Sequence, residues 1–470
     1  MVTFHPVNPQ KWDICAGFAK ALESKSGKFE LRFWLGLGLF SLGIAGVFAL
    51  LIAISRIPNT ESIFPWPIKF FEKGLIIHVI FSFIIWFLSI FSAMLTIVTY
   101  RLSNGPPRFN LLGGFAGLMA IVSCFLLLIP GLRDSGEASL NNYIPIIIEP
   151  MYYFGLFTFN LAIILQILRL AINFFGREGP FEPVAQAIVV GSVLFTIAII
   201  SFLISWEELK TSAIDPSFNE NLFWASGHIL QFLNALLMLL AWYILGGLIF
   251  EQPILHPKTF RLILFIFLLI GATLLSFVLF LDPISSEGRE LFTLAQYLML
   301  PPILIFLSGA IIKLLEIKHS LEKSLFSQPP FVALTLSLIV FMIGGWLGIF
   351  VDGTDTRTPA HYHGVIGGIN IAFIGIFFYF AIPIIKKITN KKRPLLTILW
   401  AYAIGQILHS LGLFFAGGYG APRKTAGNLD GIAELGAEIS LYMMGVGAVI
   451  AVIGGILFVY IGSKTLLNST

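Results

Sequence analysis

The sequence predicts an all-α membrane protein of about twelve transmembrane helices, and three observations support this fold class. Of the 470 residues, 57% are hydrophobic and 11% are charged, and the mean hydropathy is +0.90. Apolar stretches of roughly 20 residues, the length of a membrane-crossing helix, recur along the whole chain. The segments between them are short. We therefore expect one polytopic transmembrane domain over residues 1–470, which includes a cytoplasmic N-terminal tail of residues 1–31.

Each span follows from one apolar stretch, and we number the spans 1 to 12 in chain order. The tail before span 1 is mixed and charged and has no apolar core, so we expect span 1 to act as its own insertion signal. The predicted spans are residues 32–54, 75–100, 110–132, 143–175, 182–205, 222–250, 259–281, 291–315, 329–351, 359–386, 394–416 and 436–462.

The charges between the spans predict the orientation. The N-terminal tail, the even-numbered loops and the C-terminus hold 20 of the 29 lysines and arginines. The acidic residues show the opposite bias, with 8 on that side and 17 on the other. By the positive-inside rule, both termini are predicted to be cytoplasmic. The net charge of +4 is mostly a topology signal, and it indicates no nucleic-acid surface.

Five of the eight histidines fall inside predicted spans, all at a similar depth in the outer half of the membrane under this topology. Polar groups in lipid-embedded helices are costly and usually functional. His361 and His363 are two residues apart, so on a helix their side chains point about 200° away from each other. The five residues, which we call the histidine layer, are His78, His228, His361, His363 and His409.

The histidine layer suits haem binding, because an imidazole on each face of the macrocycle is a common way to hold a low-spin haem. His78 and His363 are candidates for such a pair. His361 is a candidate for the single ligand of a second haem, with His228 across its open position. A lone intramembrane histidine is more often a hydrogen-bonded structural residue, but four or more at one depth favour ligation.

Two cations, Arg423 and Lys424, follow span 11 in a glycine-rich turn on the outer side. Arginine engages carboxylates through two parallel hydrogen bonds, so this turn suits the propionates of a haem. By itself the turn is better interpreted as a glycine-rich loop with incidental charge. Beside the histidine layer we favour propionate binding.

At these residues the sequence resembles the central subunit, subunit I, of the haem–copper oxidase superfamily, over nearly the whole chain. The resemblance implies that His78 and His363 bind the low-spin haem, that His361 binds the high-spin haem, and that His228 belongs to a distal metal site. The matching stretches are 78–86, Phe223-Trp224-Ala-Ser-Gly227-His228, Pro359-Ala-His361-Tyr-His363 and the Gly-Ala-Pro-Arg-Lys turn that ends at Lys424.

The departures from the family pattern concern the distal site. Oxygen-reducing members hold a copper with two further histidines in span 7, and the family spacing places these near Phe277 and Val278. Main-branch oxidases also carry a tyrosine four residues after the span-6 histidine, where this chain has Phe232. The proton-channel lysine of span 8, expected around Phe306, and the glutamate after Gly-His in span 6 are absent too. Copper and proton pumping of the usual kind are therefore not expected.

Oxygen ligands are the candidates for replacing the copper ligands. Gln231 lies one turn after His228, Asn234 lies within two turns, and Asp282 closes span 7 on the outer side. A histidine with oxygen ligands suits non-haem iron better than copper. The alternative is that Gln231 and Asn234 only make hydrogen bonds between helices. Non-haem iron would make the chain closest in character to the nitric oxide reductase branch.

The leading hypothesis is a respiratory oxidoreductase that passes electrons from a low-spin to a high-spin haem, both b type, and reduces nitric oxide to nitrous oxide. The alternatives are oxygen reduction as a terminal oxidase subunit, and a haem electron-transfer subunit without a distal metal. A transporter without cofactors would leave the histidine layer unexplained. Cys15 and Cys124 are too few for an iron–sulfur cluster, so electrons must come from a partner or a lipid-soluble donor.

The expected partners and location follow from the same hypothesis. We expect cytochrome c or a quinol as the electron donor, and a small accessory or haem c subunit beside the chain. The expected location is the cytoplasmic membrane of a prokaryote.

Overall fold

The computed structural model describes residues 14–55, 70–317, 323–351, 353, 355–385, 392–423 and 435–468. Within them, twelve helical segments are long and apolar enough to cross a membrane, which confirms the predicted fold class. The helices are α1 Ile14–Ala21, α2 Lys25–Ser55, α3 Phe70–Val79, α4 Trp86–Leu102, α5 Asn110–Leu132, α6 Pro150–Phe175, α7 Pro183–Leu209, α8 Pro216–Phe250, α9 Pro257–Phe280, α10 Ser286–Ala295, α11 Leu300–Ile317, α12 Pro329–Leu347, α13 Arg357–Ile376, α14 Ile382–Ile384, α15 Lys392–Gly418 and α16 Leu435–Leu467.

Most spans are one helix each, and three are interrupted. Span 1 is α2, span 3 is α5, spans 4 to 7 are α6 to α9, span 9 is α12, span 11 is α15 and span 12 is α16. Span 2 joins α3 and α4 through a π-helical segment, Ile80–Ile85, and span 10 joins α13 and α14 through another, Phe377–Ala381. Span 8 joins α10 and α11 through a 3-10 turn, Gln296–Met299. The first π-helical segment begins two residues after His78, and such segments are frequent at functional sites.

A β-hairpin between spans 3 and 4 is the main difference from the prediction. Strands β1 Glu137–Ser139 and β2 Ile146–Ile148 pair antiparallel, with Glu137 opposite Ile148. Residues 143–149, predicted to begin span 4, therefore lie in the hairpin. Helix α6 starts at Pro150 because proline suits the first helical position and the Glu149 side chain accepts a hydrogen bond from Tyr152 N. We call the side of the bundle that carries this hairpin the hairpin side; the even-numbered spans begin there.

Residues 14–31, predicted to belong to a cytoplasmic tail, are mostly helical. Helix α1 precedes α2, and α2 begins at Lys25, so residues 25–31 belong to span 1. The Glu30 side chain is buried and forms an ion pair with Arg169 of span 4. This interaction holds the extra turns of span 1 against the bundle. Residues 1–13 lie outside the described residues.

The centre of the bundle is formed by spans 2, 6 and 10. In the most apolar window of these spans 78%, 89% and 83% of the residues are buried, against 22% in spans 8 and 12. Since four residues of the histidine layer lie on spans 2, 6 and 10, the fold encloses most of the layer in protein.

Candidate functional site

His78 of span 2 is oriented by a backbone carbonyl. Its Nδ1 lies 2.9 Å from the carbonyl oxygen of Ala45 in span 1. A carbonyl oxygen only accepts hydrogen bonds, so Nδ1 carries the proton and Nε2 keeps its lone pair. Metal-binding histidines are usually held in this way by a group that fixes the tautomer and the ring.

His361 of span 10 is held in the same way by span 9. Its Nδ1 lies 2.8 Å from the carbonyl oxygen of Gly344. The ring packs against Gly348, where a Cβ atom would lie 2.5 Å from the same nitrogen. The two glycines, four residues apart on one helix face, give the imidazole its space and its hydrogen bond. Nε2 is again the nitrogen that keeps its lone pair.

His363 contacts a different neighbour. Its ring centroid lies 4.5 Å from that of His409 in span 11, with the rings nearly perpendicular. The Nδ1 of His409 lies 3.0 Å from the carbonyl oxygen of Met444 in span 12. His361 therefore packs against span 9 and His363 against span 11, as two side chains on opposite faces of one helix would.

The packing of spans 2 and 10 places His78 and His363 at a similar height. Trp86 Nε1 donates a hydrogen bond to Asn370 Oδ1 at 2.9 Å, which joins the two spans. His78 precedes Trp86 by eight residues and His363 precedes Asn370 by seven. Both spans begin on the hairpin side, so both histidines lie roughly 10–12 Å toward that side from the Trp86–Asn370 bond.

Arg423 binds the hairpin. Its guanidinium donates to Asn142 Oδ1 at 2.6 Å and to Gly353 O at 3.1 Å. Its Nε is buried and has no hydrogen-bond partner among the described residues, and the same is true of both amide atoms of Asn141. A buried guanidinium donor without a partner is costly, so Arg423 suits an anionic oxygen ligand. Lys424 lies outside the described residues.

His228 of span 6 has partners at both ring nitrogens. Nδ1 lies 2.8 Å from the carbonyl oxygen of Trp224, so Nδ1 carries the proton. Nε2 lies 2.8 Å from the hydroxyl of Tyr143, which therefore donates to it. The ring is buried, with 1% of the residue's surface exposed, and it packs at a tilt of 51° against both Tyr143 and Trp224, at centroid distances of 4.4 and 4.8 Å.

Two of the proposed oxygen ligands, Gln231 and Asp282, make hydrogen bonds to backbone groups. Gln231 Nε2 donates to Gly227 O of its own helix at 3.3 Å. Asp282 is exposed at the end of span 7, where its Oδ1 accepts from Ile284 N. Among the described residues, no group of three histidine, cysteine, aspartate or glutamate side chains is arranged to hold a metal ion.

Aromatic rings occupy the region where the family's copper ligands were expected. The ring of Phe292 lies 6.1 Å from that of His228 and 6.0 Å from that of Phe277. Val278, the other expected copper position, is buried. These side chains offer a metal no donor atoms.

The family model for cytochrome c and quinol oxidase polypeptide I matches residues 31–461 of this chain. The chain belongs to this family. It is a divergent, subunit I-like member, and membership implies oxidoreductase activity and haem binding. Membership of this family agrees with the presence of four histidines on the three central spans, 2, 6 and 10.

Individual relatives agree with this assignment. The chain is 28% identical to an uncharacterised protein of Rickettsia prowazekii, over 92% of this chain and 95% of that protein. It is 21% identical to cytochrome c oxidase subunit 1 of Thermus thermophilus, over 87% of this chain and 79% of the relative. A haem–copper terminal oxidase determined by electron cryomicroscopy has the same fold, with a TM-score of 0.75, 18% identity and coverage of 95% of this chain and 85% of that one.

The residues present fit haem but do not fit a distal metal. For haem, His78 and His361 each use Nδ1 on a carbonyl and keep the Nε2 lone pair, and Arg423 has an unpartnered buried Nε. For a distal metal, both nitrogens of His228 have partners. The expectation of non-haem iron at His228, Gln231 and Asp282 therefore disagrees with the arrangement of these side chains.

Sequence reasoning missed the residues that position the histidines. Tyr143 was placed inside span 4, although Gly136 and Pro145 mark the surrounding segment as a turn region. Gly344 and Gly348 carry a small-x-x-x-small spacing that is typical of close helix contacts. That spacing predicts a close approach of two helices, but it does not say that a histidine ring fills the space.

Proposed function

We propose that this chain is the haem-carrying subunit of a respiratory oxidoreductase. It would bind a low-spin haem through His78 and His363 and a high-spin haem through His361, and deliver electrons to a small gas. The bound haems would supply the one-electron redox chemistry. The observation that carries the proposal is the shared hydrogen bonding of His78 and His361, whose Nδ1 atoms lie 2.9 and 2.8 Å from backbone carbonyls. This arrangement presents Nε2 of each ring for ligation.

Nitric oxide is the gas that we favour. Two molecules of nitric oxide, two electrons and two protons give nitrous oxide and water, so the reaction needs fewer electrons than oxygen reduction. The side chains at Phe277 and Val278 favour a reaction that does without the three-histidine copper site. The b type of both haems belongs to the same proposal.

Oxygen is the second candidate, and one observation favours it. The span-6 tyrosine of main-branch oxidases is Phe232 here, yet the phenol of Tyr143 reaches His228 from the hairpin at 2.8 Å. A phenol at this place is a source of a proton and an electron for the four-electron reduction of oxygen to water.

The electron donor, the partner subunit and the location of the chain belong to the same proposal. Cytochrome c or a quinol would supply the electrons, and a small accessory or haem c subunit would complete the complex. The excess of lysine and arginine in the N-terminal tail, the even-numbered loops and the C-terminus supports cytoplasmic termini in a prokaryotic cytoplasmic membrane.

The test is to purify the full-length chain in detergent and measure its haem content and its gas consumption. We expect two haems b per chain, one of which binds carbon monoxide when reduced. With an artificial electron donor, we expect nitric oxide to be consumed faster than oxygen. A preparation without haem absorption would refute the proposal, and faster oxygen consumption would favour the second candidate.

A further inference from the structure

The hydrogen bonds of His228 leave no nitrogen for a metal. Nδ1 donates to Trp224 O and Nε2 accepts from Tyr143, each at 2.8 Å. We propose that the distal site holds no metal and that Tyr143 acts there instead, as a positioning residue that fixes His228 beside the cavity where the gas enters. This proposal rests on the proposed function, because it concerns the gas site of the same haem protein.

Tyr143 is held firmly in this position. The neighbouring Asn142 donates two hydrogen bonds to the carboxylate of Glu220 in span 6, at 3.0 Å from the backbone nitrogen and 2.7 Å from the amide. Asn142 also accepts from Arg423. The hairpin is thereby attached at Asn142 both to span 6 and to the turn after span 11, directly before Tyr143.

Span 6 has a local sequence that accommodates the tyrosine. A Cβ atom at Gly227 would lie 2.5 Å from Cβ of Tyr143, so only glycine lets the tyrosine approach the helix here. The Tyr143 ring also packs edge-on against Trp224, with centroids 5.7 Å apart, and the guanidinium of Arg289 lies 4.4 Å from the centre of the same indole ring. Contacts on both sides of the phenol thus direct its hydroxyl to His228.

The hydroxyl of Tyr143 is the donor in this pair. Nδ1 of His228 already donates to Trp224 O, so Nε2 has the lone pair and accepts the hydrogen bond from the phenol. A neutral imidazole with both nitrogens satisfied is stable when buried and has no site for a cation.

A cavity lies beside this pair. It is small, and it is lined by the hairpin, span 6 and the segment of span 2 that follows His78. Phe83 and Phe87 form part of its apolar wall, while Tyr143, Gln231 and Asn234 supply polar groups. Asn234 is 6% exposed and lines the cavity. An apolar cavity with a few polar groups suits a small diatomic gas and water.

The first experiment measures metals in the purified, haem-loaded chain by mass spectrometry. We expect two iron atoms per chain, both accounted for by haem, and no stoichiometric copper, zinc or further iron. His228→Ala should leave the metal-to-haem ratio unchanged. A third metal present in the wild type and lost in His228→Ala would overturn this inference, while the haem-based proposed function would stand. A chain without haem would instead refute the proposed function.

The second experiment compares Tyr143→Phe with Tyr153→Phe. Tyr153 is a matched control, because its hydroxyl also donates to a span-6 side chain, Asn219 Oδ1 at 2.7 Å. The readout is the dissociation rate of carbon monoxide from the reduced haem, measured together with the unfolding temperature. Tyr143→Phe frees Nε2 of His228, so we expect the rate to change about three- to tenfold, the size of effect of one hydrogen bond.

The control separates a local effect from a loss of stability. Tyr153→Phe should lower the unfolding temperature by a similar amount and leave the carbon monoxide rate unchanged. Equal rates in the wild type and Tyr143→Phe would overturn the proposed role of Tyr143. Equal changes of the rate in both variants would overturn it too, since the effect would then be one of general stability.

Discussion

Gly348→Ala is expected to displace His361 and weaken the binding of the haem that this histidine would hold. The added Cβ would lie 2.5 Å from Nδ1 and 2.7 Å from Cε1 of the ring. Carbon and nitrogen atoms pack comfortably at about 3.5 Å, so the ring must move by roughly 1 Å. The hydrogen bond from Nδ1 to Gly344 O, now 2.8 Å, would be lost or bent. Loss of such an orienting partner typically costs about 10- to 100-fold in metal affinity.

The assay is haem titration of the purified apoprotein, followed by the spectrum of the reduced protein with and without carbon monoxide. We expect the carbon monoxide-reactive haem to bind at least about tenfold more weakly in Gly348→Ala. The low-spin haem of His78 and His363 should bind as in the wild type. Gly345→Ala is the matched control, because a Cβ at Gly345 meets no atom within 4 Å. Both variants add one methyl group to span 9, so the difference between them reports the contact with His361.

Two results would refute this reasoning. If Gly348→Ala bound the carbon monoxide-reactive haem as tightly as Gly345→Ala, the position of the His361 ring against span 9 would not matter for haem binding. If both variants lost this haem equally, contact with the imidazole would not be the cause, because a Cβ at Gly345 reaches no other side chain.

Four further substitutions test other parts of the structure. His361→Ala should remove the carbon monoxide-reactive haem and keep the low-spin spectrum, and His363→Ala should do the reverse, as optical spectra would show. Arg169→Met should lower the free energy of unfolding by about 3–5 kcal/mol in denaturant titrations, because it leaves the carboxylate of Glu30 buried without its partner. Asn370→Ala should lower it by about 2–3 kcal/mol in the same assay, because a buried hydrogen bond to span 2 and a partly buried one to span 11 are lost.

Each of these substitutions has a control. Loss of the same haem in His361→Ala and His363→Ala would contradict their placement on opposite faces. Lys210→Met breaks the exposed pair with Glu207 and should cost under about 1 kcal/mol; an equal loss in Arg169→Met would show that burial does not strengthen its pair. Asn160 donates to Leu156 O of its own helix, so Asn160→Ala should destabilise less than Asn370→Ala, and equal losses would contradict the role of the interhelical bonds.

The histidine layer shows how far the sequence alone could reach. The helical period places His361 and His363 on opposite faces of span 10, and the structure has them against spans 9 and 11. The sequence also locates the region where copper ligands are missing. Phe277, at one of the expected copper positions, and His228 both contact the ring of Phe292. It did not predict that His409 would lie beside His363, because the approach of two spans depends on side-chain packing along their whole length.

The hairpin shows where sequence reasoning stopped. Residues 143–149 are apolar enough to be taken for the start of span 4, yet Ile146 and Ile147 are buried in a strand that pairs with residues 137–139. Apolar character indicates burial, but it does not distinguish burial in lipid or in a helix from burial in a short sheet. Gly136 and Pro145 were the available signals for a turn.

The sequence by itself determined the number of spans, the fold class and the family, because hydropathy and helical period are local properties of the chain. It also identified the histidines that are candidates to bind haem. Only the tertiary structure decided what each histidine contacts, and it paired His228 with Tyr143, 85 residues away. The physical reason is that a hydrogen bond requires two groups within about 3 Å of each other, and that distance depends on how the hairpin and the spans pack together.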